Sequence, residues 1–228
     1  MKAFEFKMNS EDRKMSKTTL YLVRHGQSIG NSLGKMLGHT DIDLTELGYK
    51  QADMTAEALR NVEFCAIYSS DLIRAYNTAQ ASAKLHNLDV VASAGLREIY
   101  LGDWEGIDKS RLKNDYSELF LKGWRENYGT FCCPGGESIY DATMRVYGAL
   151  EEIARKHEGQ TVMATLHAGV IRGFWGVISG IPKEKWATET VFPSNSSYSI
   201  IEYDGEKFTP VSYSNDEHMG EFVTRIKM

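Results

Sequence analysis

The chain has 228 residues, 42% of them hydrophobic and 25% charged, a balance that permits a sizeable buried core and argues against disorder. A net charge of −5 argues against nucleic acid or an anionic membrane as partner, since both favour a basic excess, so any anion site must be built locally. No apolar run is long enough to cross a bilayer and no histidines or cysteines have metal-ligand spacing, so neither a membrane span nor a bound metal is expected.

Met1 to Lys17 mixes charges of both signs around no apolar centre and is not a secretory signal; it reads as a mobile leader, with Met15 a second possible start, ahead of a single domain over residues 18–228. Cys65, Cys132 and Cys133 are odd in number and two are adjacent, which does not suit a disulfide framework and points to the cytoplasm. The run Thr18-Thr19-Leu20-Tyr21-Leu22-Val23 is β-branched or apolar almost throughout, as a strand covered on both faces would be. Thr45 can cap a helix running to about Arg60, with Leu47, Met54 and Ala58 on one side and the small Gly48, Ala52 and Ala56 beside them. A strand over residues 66–69 precedes a helix that places Leu72, Tyr76, Ala79 and Ala83 on one face, and residues 89–92 form a third strand. From about Tyr100 to Pro134 the alternation breaks; this aromatic-rich stretch reads as an insertion covering the site.

Ser138 to Glu158 is the clearest helix: a Ser138/Asp141 pair like a capping box, a stripe of Ala142, Val146, Ala149, Leu150 and Ile153, and Gly159 to end it. A strand over residues 160–165, a nearly all-apolar helix over 170–179, and strands over 197–203 and 208–213 joined at Asp204-Gly205 complete the chain. Alternating strands and helices predict an α/β fold with a largely parallel sheet and helices on both faces. Ligands of such sheets bind beyond the carboxyl ends of the strands, which selects Arg24-His25 and Leu166-His167.

Arg24-His25-Gly26 combines a histidine at a strand end, an always-charged fork that matches phosphate oxygens, and a glycine that leaves room for close approach. Alone, the triplet is short enough to occur by chance, and a histidine satisfied in a turn competes with an active-site one. Arg74 changes that weighting: it falls in the first turn of a helix, where the free N–H groups and dipole already favour anions. Glu98 follows the third strand at the same sheet edge, and His167 opens a strand-to-helix connection like the one at Arg74.

These segments, with Asn31, Asp43-Leu44-Thr45-Glu46-Leu47-Gly48, Gly102-Asp103-Trp104-Glu105-Gly106 and Pro134-Gly135-Gly136-Glu137-Ser138, resemble the histidine phosphatase superfamily, the phosphoglycerate mutase-like group, in family order from about Thr18 to Tyr203. The resemblance implies a three-layer α/β/α sandwich with a six-stranded, mostly parallel sheet. It implies His25 as the nucleophile that carries the phosphoryl group, Glu98 as proton donor, and Arg24, Asn31, Arg74 and His167 as phosphate-binding residues. In-line phosphoryl transfer depends on positioning and charge stabilisation, which these cations supply, so no metal or other cofactor is implied. His25 must attack as neutral imidazole, with its second ring nitrogen fixed by a backbone carbonyl.

The chain departs from the family pattern at Leu166, where a small hydroxyl residue is usual, and at Ala168, where glycine is usual; Thr165 is the candidate to replace the lost hydroxyl. Two enzymes compete within the resemblance. A mutase needs further cations for a substrate carboxylate, and this chain has no Arg-Arg pair and reads Glu98-Ile99-Tyr100 where mutases continue with arginine and histidine. Hydrolysis of a small phosphomonoester is therefore the favoured reading, 2,3-bisphosphoglycerate-dependent phosphoglycerate mutase the runner-up, and a non-catalytic phosphoryl-binding module the weaker third. His39, His86, His157 and His218 lack the motif flanks; His86 and His157 read as solvent-facing or capping groups.

Overall fold

The computed structural model describes residues 16–226; the first fifteen residues of the expected leader, Met15 included, lie outside the described residues. The elements are β1 (Thr18–Arg24), α1 (Ile29–Ser32), α2 (Glu46–Ala58), β2 (Ala66–Ser70), α3 (Ile73–His86), β3 (Val90–Ser93), α4 (Lys109–Asp115), α5 (Ser117–Leu119), α6 (Ile139–Lys156), β4 (Thr161–Leu166), α7 (Ala168–Ile178), α8 (Trp186–Glu189), β5 (Tyr198–Tyr203) and β6 (Phe208–Asn215). The strands form one sheet in the order β3-β2-β4-β1-β5-β6. The pairs β2–β3, β2–β4 and β1–β4 are parallel; β5 runs antiparallel to both β1 and β6. The fold is thus an α/β sandwich built on a mostly parallel sheet.

Period-two alternation assigns the layers. Leu20 and Leu22 of β1, with Val162, Ala164 and Leu166 of β4, face the core shared with α6 and α7. Val23 and Met163 turn the other way, toward Ala79 and Ala83 of α3. On the first face α6 buries Ala142, Val146, Leu150 and Ile153, while Ala149 is only half-buried. Ser138 caps it by accepting from Asp141 N at 3.0 Å, and His157 forms its C-cap. The β5–β6 hairpin turns over residues 204–207, where Asp204 Oδ1 accepts from the N–H groups of Glu206 and Lys207.

Two helix faces differ from the sequence reading, the second only in part. In α2 the buried side is the small one, Gly48, Ala52 and Ala56 with Gln51 and Thr55, while Leu47 and Met54 are half-buried and Ala58 is exposed. In α3 the expected face is largely kept, with Leu72 (the N-cap), Ala79 and Ala83 buried, but Tyr76 is only half-buried and Ala75 joins the buried face with Arg74, Thr78 and Ser82. The cause is shared. These two helices pack on each other, and alanine and glycine faces let them approach more closely than leucine and methionine would.

Residues 100–134 pack into the same core as α6 and α7. Trp104 is fully buried, its ring 5.4–6.2 Å from those of Phe131, Phe120 and Tyr116. Residues 120–126 wind in wide π-turns, which aim Phe120 and Trp124 at both this core and the cavity described next.

Candidate active site

The parallel register of β1 and β4 places Arg24 opposite Leu166, so the next residue of each strand, His25 and His167, meet at the sheet edge. His25 N donates to Leu166 O at 3.0 Å, and the two imidazole centroids lie 5.2 Å apart. β2 ends at Ser70 and leads into α3 with Arg74 as its second residue. A single 3₁₀ turn, Ala94–Leu96, separates β3 from Glu98. Arg24, His25, Asn31, Arg74 and Glu98 thereby line one cavity. His167 is fully buried beside His25 and is not among the lining residues; both of its ring nitrogens lack a protein partner.

His25 is held from behind. Its Nδ1–H donates to Gly26 O at 2.7 Å, which fixes the tautomer and leaves Nε2 with the free lone pair. Burial first, then the Arg74 and Arg24 guanidinium groups, hold its pKa well below the usual histidine range, so the ring is neutral. The loop behind it is tightly tied: Gly26 N donates to Thr78 Oγ1 at 3.0 Å and Gln27 N to Gln51 Oε1 at 2.8 Å. Sequence reasoning gave Gly26 to the ligand; the structure gives it to α2. A Cβ on Gly26 would collide with the carbonyl of Gly48, and one on Gly48 with the carbonyl of Gln27.

Arg24 and Arg74 are each 1% exposed and anchored on carbonyls. Arg24 Nη1 donates to Pro193 O at 2.7 Å; Arg74 donates to Thr40 O at 2.8 Å and Gly38 O at 2.7 Å. Burial lowers both pKa values to about 10, still far enough above neutrality to keep both charged. The Nε of each has no partner. Buried donors left unpaired are costly, and two such guanidinium nitrogens at one cavity suit an anion with several oxygens. Asn31 Oδ1 accepts from Ser28 N and from Asn195 Nδ2, both at 3.3 Å, so its NH₂ is the end left for a ligand.

Glu98 sits across from them on the first turn of α7. Its Oε1 accepts from Ile99 N at 3.0 Å and Val170 N at 3.1 Å, and its Oε2 from Gly169 N at 3.0 Å. Three of the roughly four lone-pair positions of the carboxylate are taken, which leaves one on Oε2 for a proton. Gly169 is needed for this seat, because a Cβ there would stand 2.6 Å from Glu98 Oε1. Thr165 does not replace the missing hydroxyl: its Oγ1 is buried without a partner and makes no bond to His167. Leu166, fully buried, faces the apolar core instead.

Several residues escaped the sequence reading. Asn195 donates from Nδ2 to His25 O at 3.0 Å, and Thr224 Oγ1 donates in turn to Asn195 Oδ1 at 3.1 Å. The Ser194-Asn195-Ser196-Ser197 cluster before β5 was the available signal, with Ser196 at a φ of 53°. Lys35, Lys109 and Lys113 also line the cavity. Burial, then Arg24 and Lys113, lower the Lys109 pKa. The four-residue spacing of Lys109 and Lys113 on α4 was the clue to a shared face. Among the remaining histidines, His86 bonds the Ser82 and Val62 carbonyls, His157 meets Tyr68 Oη at 2.9 Å, and His218 meets Thr55 Oγ1 at 3.0 Å.

The family model described as histidine phosphatase superfamily (branch 1) matches residues 20–216. Phosphoserine phosphatase 1 of Hydrogenobacter thermophilus is 34% identical over 204 residues, covering 89% of this chain and 95% of that protein. The metal-independent phosphoserine phosphatase of Arabidopsis thaliana is 32% identical over 219 residues, covering 94% and 89%. The solved structure of mycobacterial glucosyl-3-phosphoglycerate phosphatase with VO3 superposes with a TM-score of 0.80 at 29% identity, covering 87% of this chain and 99% of that one.

Proposed function

This chain belongs to the histidine phosphatase superfamily, branch 1, and from that premise we propose metal-independent hydrolysis of small phosphomonoesters through a phosphohistidine on His25. The observation that carries the proposal is the neutral His25 ring, fixed through Nδ1 on Gly26 O and flanked by two buried guanidinium groups. Arg24, Arg74 and Asn31, which line the cavity, take the phosphoryl oxygens, and His167, buried next to His25 with both ring nitrogens unpartnered, joins them when the phosphoryl group is bound. His25 Nε2 forms a bond to phosphorus as the bond to the ester oxygen breaks, and Glu98 gives that oxygen its proton. The ionised Glu98 then accepts a proton from water, whose oxygen attacks the phosphohistidine and releases inorganic phosphate. Positive charge at the cavity comes from side chains, and among the described residues Glu98 is the one carboxylate in its wall.

Phosphoserine and related acidic alcohol phosphates are the substrates suggested by the names of the relatives. The free cysteines Cys65, Cys132 and Cys133 support a cytoplasmic setting. The test is turnover of p-nitrophenyl phosphate by purified protein in excess EDTA, with acid-labile phosphate trapped on His25. His25→Ala should lose both, by about 10⁴-fold or more in rate. Absence of wild-type turnover from mildly acidic to neutral pH would falsify the phosphatase reading. The mutase reading keeps one supporting observation, the lysines in the cavity wall, which could hold a carboxylate as an Arg-Arg pair would. An assay with 3-phosphoglycerate primed by 2,3-bisphosphoglycerate decides between the two.

A further inference from the structure

The Glu98 backbone belongs to no strand or helix, although its carboxylate is seated on the first turn of α7. It follows the short turn Ala94–Leu96 and precedes an irregular stretch, so no strand or helix ladder fixes its backbone. One side chain from another layer does so instead. Arg145, on α6, donates from Nη1 to Gly95 O and to Arg97 O, each at 3.0 Å, and from Nη2 to Glu98 O at 3.0 Å. The same guanidinium pairs with Glu137 at 2.6 Å, and Glu137 Oε1 accepts from Tyr100 N at 2.8 Å. Arg145 and its partner therefore bind the chain on both sides of Glu98. His39 Nε2 adds a second donor to the Glu98 carbonyl at 2.8 Å.

We propose that Arg145 is a positioning residue for proton transfer: by gripping three carbonyls it sets the backbone from which Glu98 reaches the leaving oxygen. The inference rests on the reading of Glu98 as proton donor. A planar fork is needed, because only guanidinium presents enough fixed N–H vectors to serve three carbonyls and a carboxylate together; an ammonium at the same place satisfies fewer of them. The ion pair with Glu137 is part-exposed on both sides, 29% and 24%, and contributes little by itself. Its role is to orient the fork.

A misplaced acid hurts poor leaving groups more than good ones, and that separates positioning from general damage. The experiment compares kcat/KM, which reports formation of the phosphoenzyme, for an alkyl ester (phosphoserine) and for p-nitrophenyl phosphate. Arg145→Lys should lower the alkyl value by about 30- to 100-fold and the aryl value by only about threefold. Glu137→Gln, which frees the fork from its anchor, should give the same pattern more weakly and serves if Arg145→Lys fails to fold. Thermal melting and inhibition by inorganic phosphate monitor the fold and the phosphate floor. Glu98→Gln runs in parallel. If it is leaving-group selective while the Arg145 and Glu137 variants lower both esters equally, the positioning role is overturned and the donor stands. If Glu98→Gln itself lowers both esters equally, the donor assignment fails and takes the inference with it.

Discussion

At the floor of the cavity three reactive side chains are tied to backbone. His25 bonds Gly26 O, Arg24 bonds Pro193 O and Arg74 bonds the carbonyls of Gly38 and Thr40, all in places where the side chain is at most 3% exposed. The wall is made differently. Lys35, Lys109 and Lys113 contribute ammonium groups that form no ion pair among the described residues, set between apolar Phe120, Trp124 and Phe192. A rigid floor suits a reaction in which charge appears at fixed oxygens, because its dipoles need no reorganisation. Long, untied side chains suit recognition of a group whose position differs between substrates. The two regions thus divide the work between chemistry and choice of substrate.

The hardest way to break the floor while keeping its charge is Arg74→Lys. The substitution retains a cation but loses the fork that holds two carbonyls and leaves Nε for the ligand. A fall in kcat/KM of about 10²- to 10³-fold is expected for every ester tested, since the phosphoryl group is common to all. A loss under tenfold would show that charge alone, and not geometry, is what the floor provides.

The same contrast explains what the sequence made legible. Arg24, His25, Arg74 and His167 each lie within a few residues of a strand end, so local pattern and the parallel-sheet rule locate them together. Asn195 reaches His25 from 170 residues away, and no spacing in the chain announces that contact. Lys109 and Lys113 sit on a seven-residue helix in a stretch without strands, where their spacing marks a shared face but only packing decides what that face meets. The face of α2 differs from its sequence pattern for a related reason: hydrophobicity ranks leucine above alanine, but a close helix–helix approach selects for small residues. Glu98 was found by position, yet the Gly169 and Val170 amides that hold it belong to another layer.

A rigid, desolvated floor should also cost stability in acid. Burial and the two arginines keep the His25 and His167 pKa values well below the usual 6.5. Below pH 6.5 the unfolded chain therefore binds protons that the fold refuses, and stability falls as pH falls, continuing toward the folded pKa. The slope is about 1.4 kcal/mol per pH unit for each histidine. Urea unfolding of wild type and His167→Gln between pH 7.5 and 5.5 measures it. The variant should lose roughly half of the acid slope contributed by this pair, whereas parallel curves would mean that His167 accepts a proton in the fold and that burial does not hold it neutral.

The wall should show the smallest and most selective effect. Lys109 is half-buried, and burial with Arg24 and Lys113 nearby already lowers its pKa, so an anion brought close would relieve repulsion as well as gain attraction. The phosphoryl group on the floor is common to every substrate, whereas a second anionic group, a carboxylate, is present on phosphoserine and absent from p-nitrophenyl phosphate. The readout is therefore a ratio: kcat/KM for phosphoserine over kcat/KM for p-nitrophenyl phosphate. Lys109→Met should lower it by about three- to tenfold, near 1 kcal/mol, the scale of one part-exposed charge contact. Raising the salt from 0.05 to 0.5 M should lower the wild-type ratio and leave that of Lys109→Met flatter, since screening weakens the open wall more than the sealed floor. An unchanged ratio in the variant would assign the lysine to solubility of the rim and leave the apolar residues, Phe120 and Trp124 first, as the part of the wall that selects the ester.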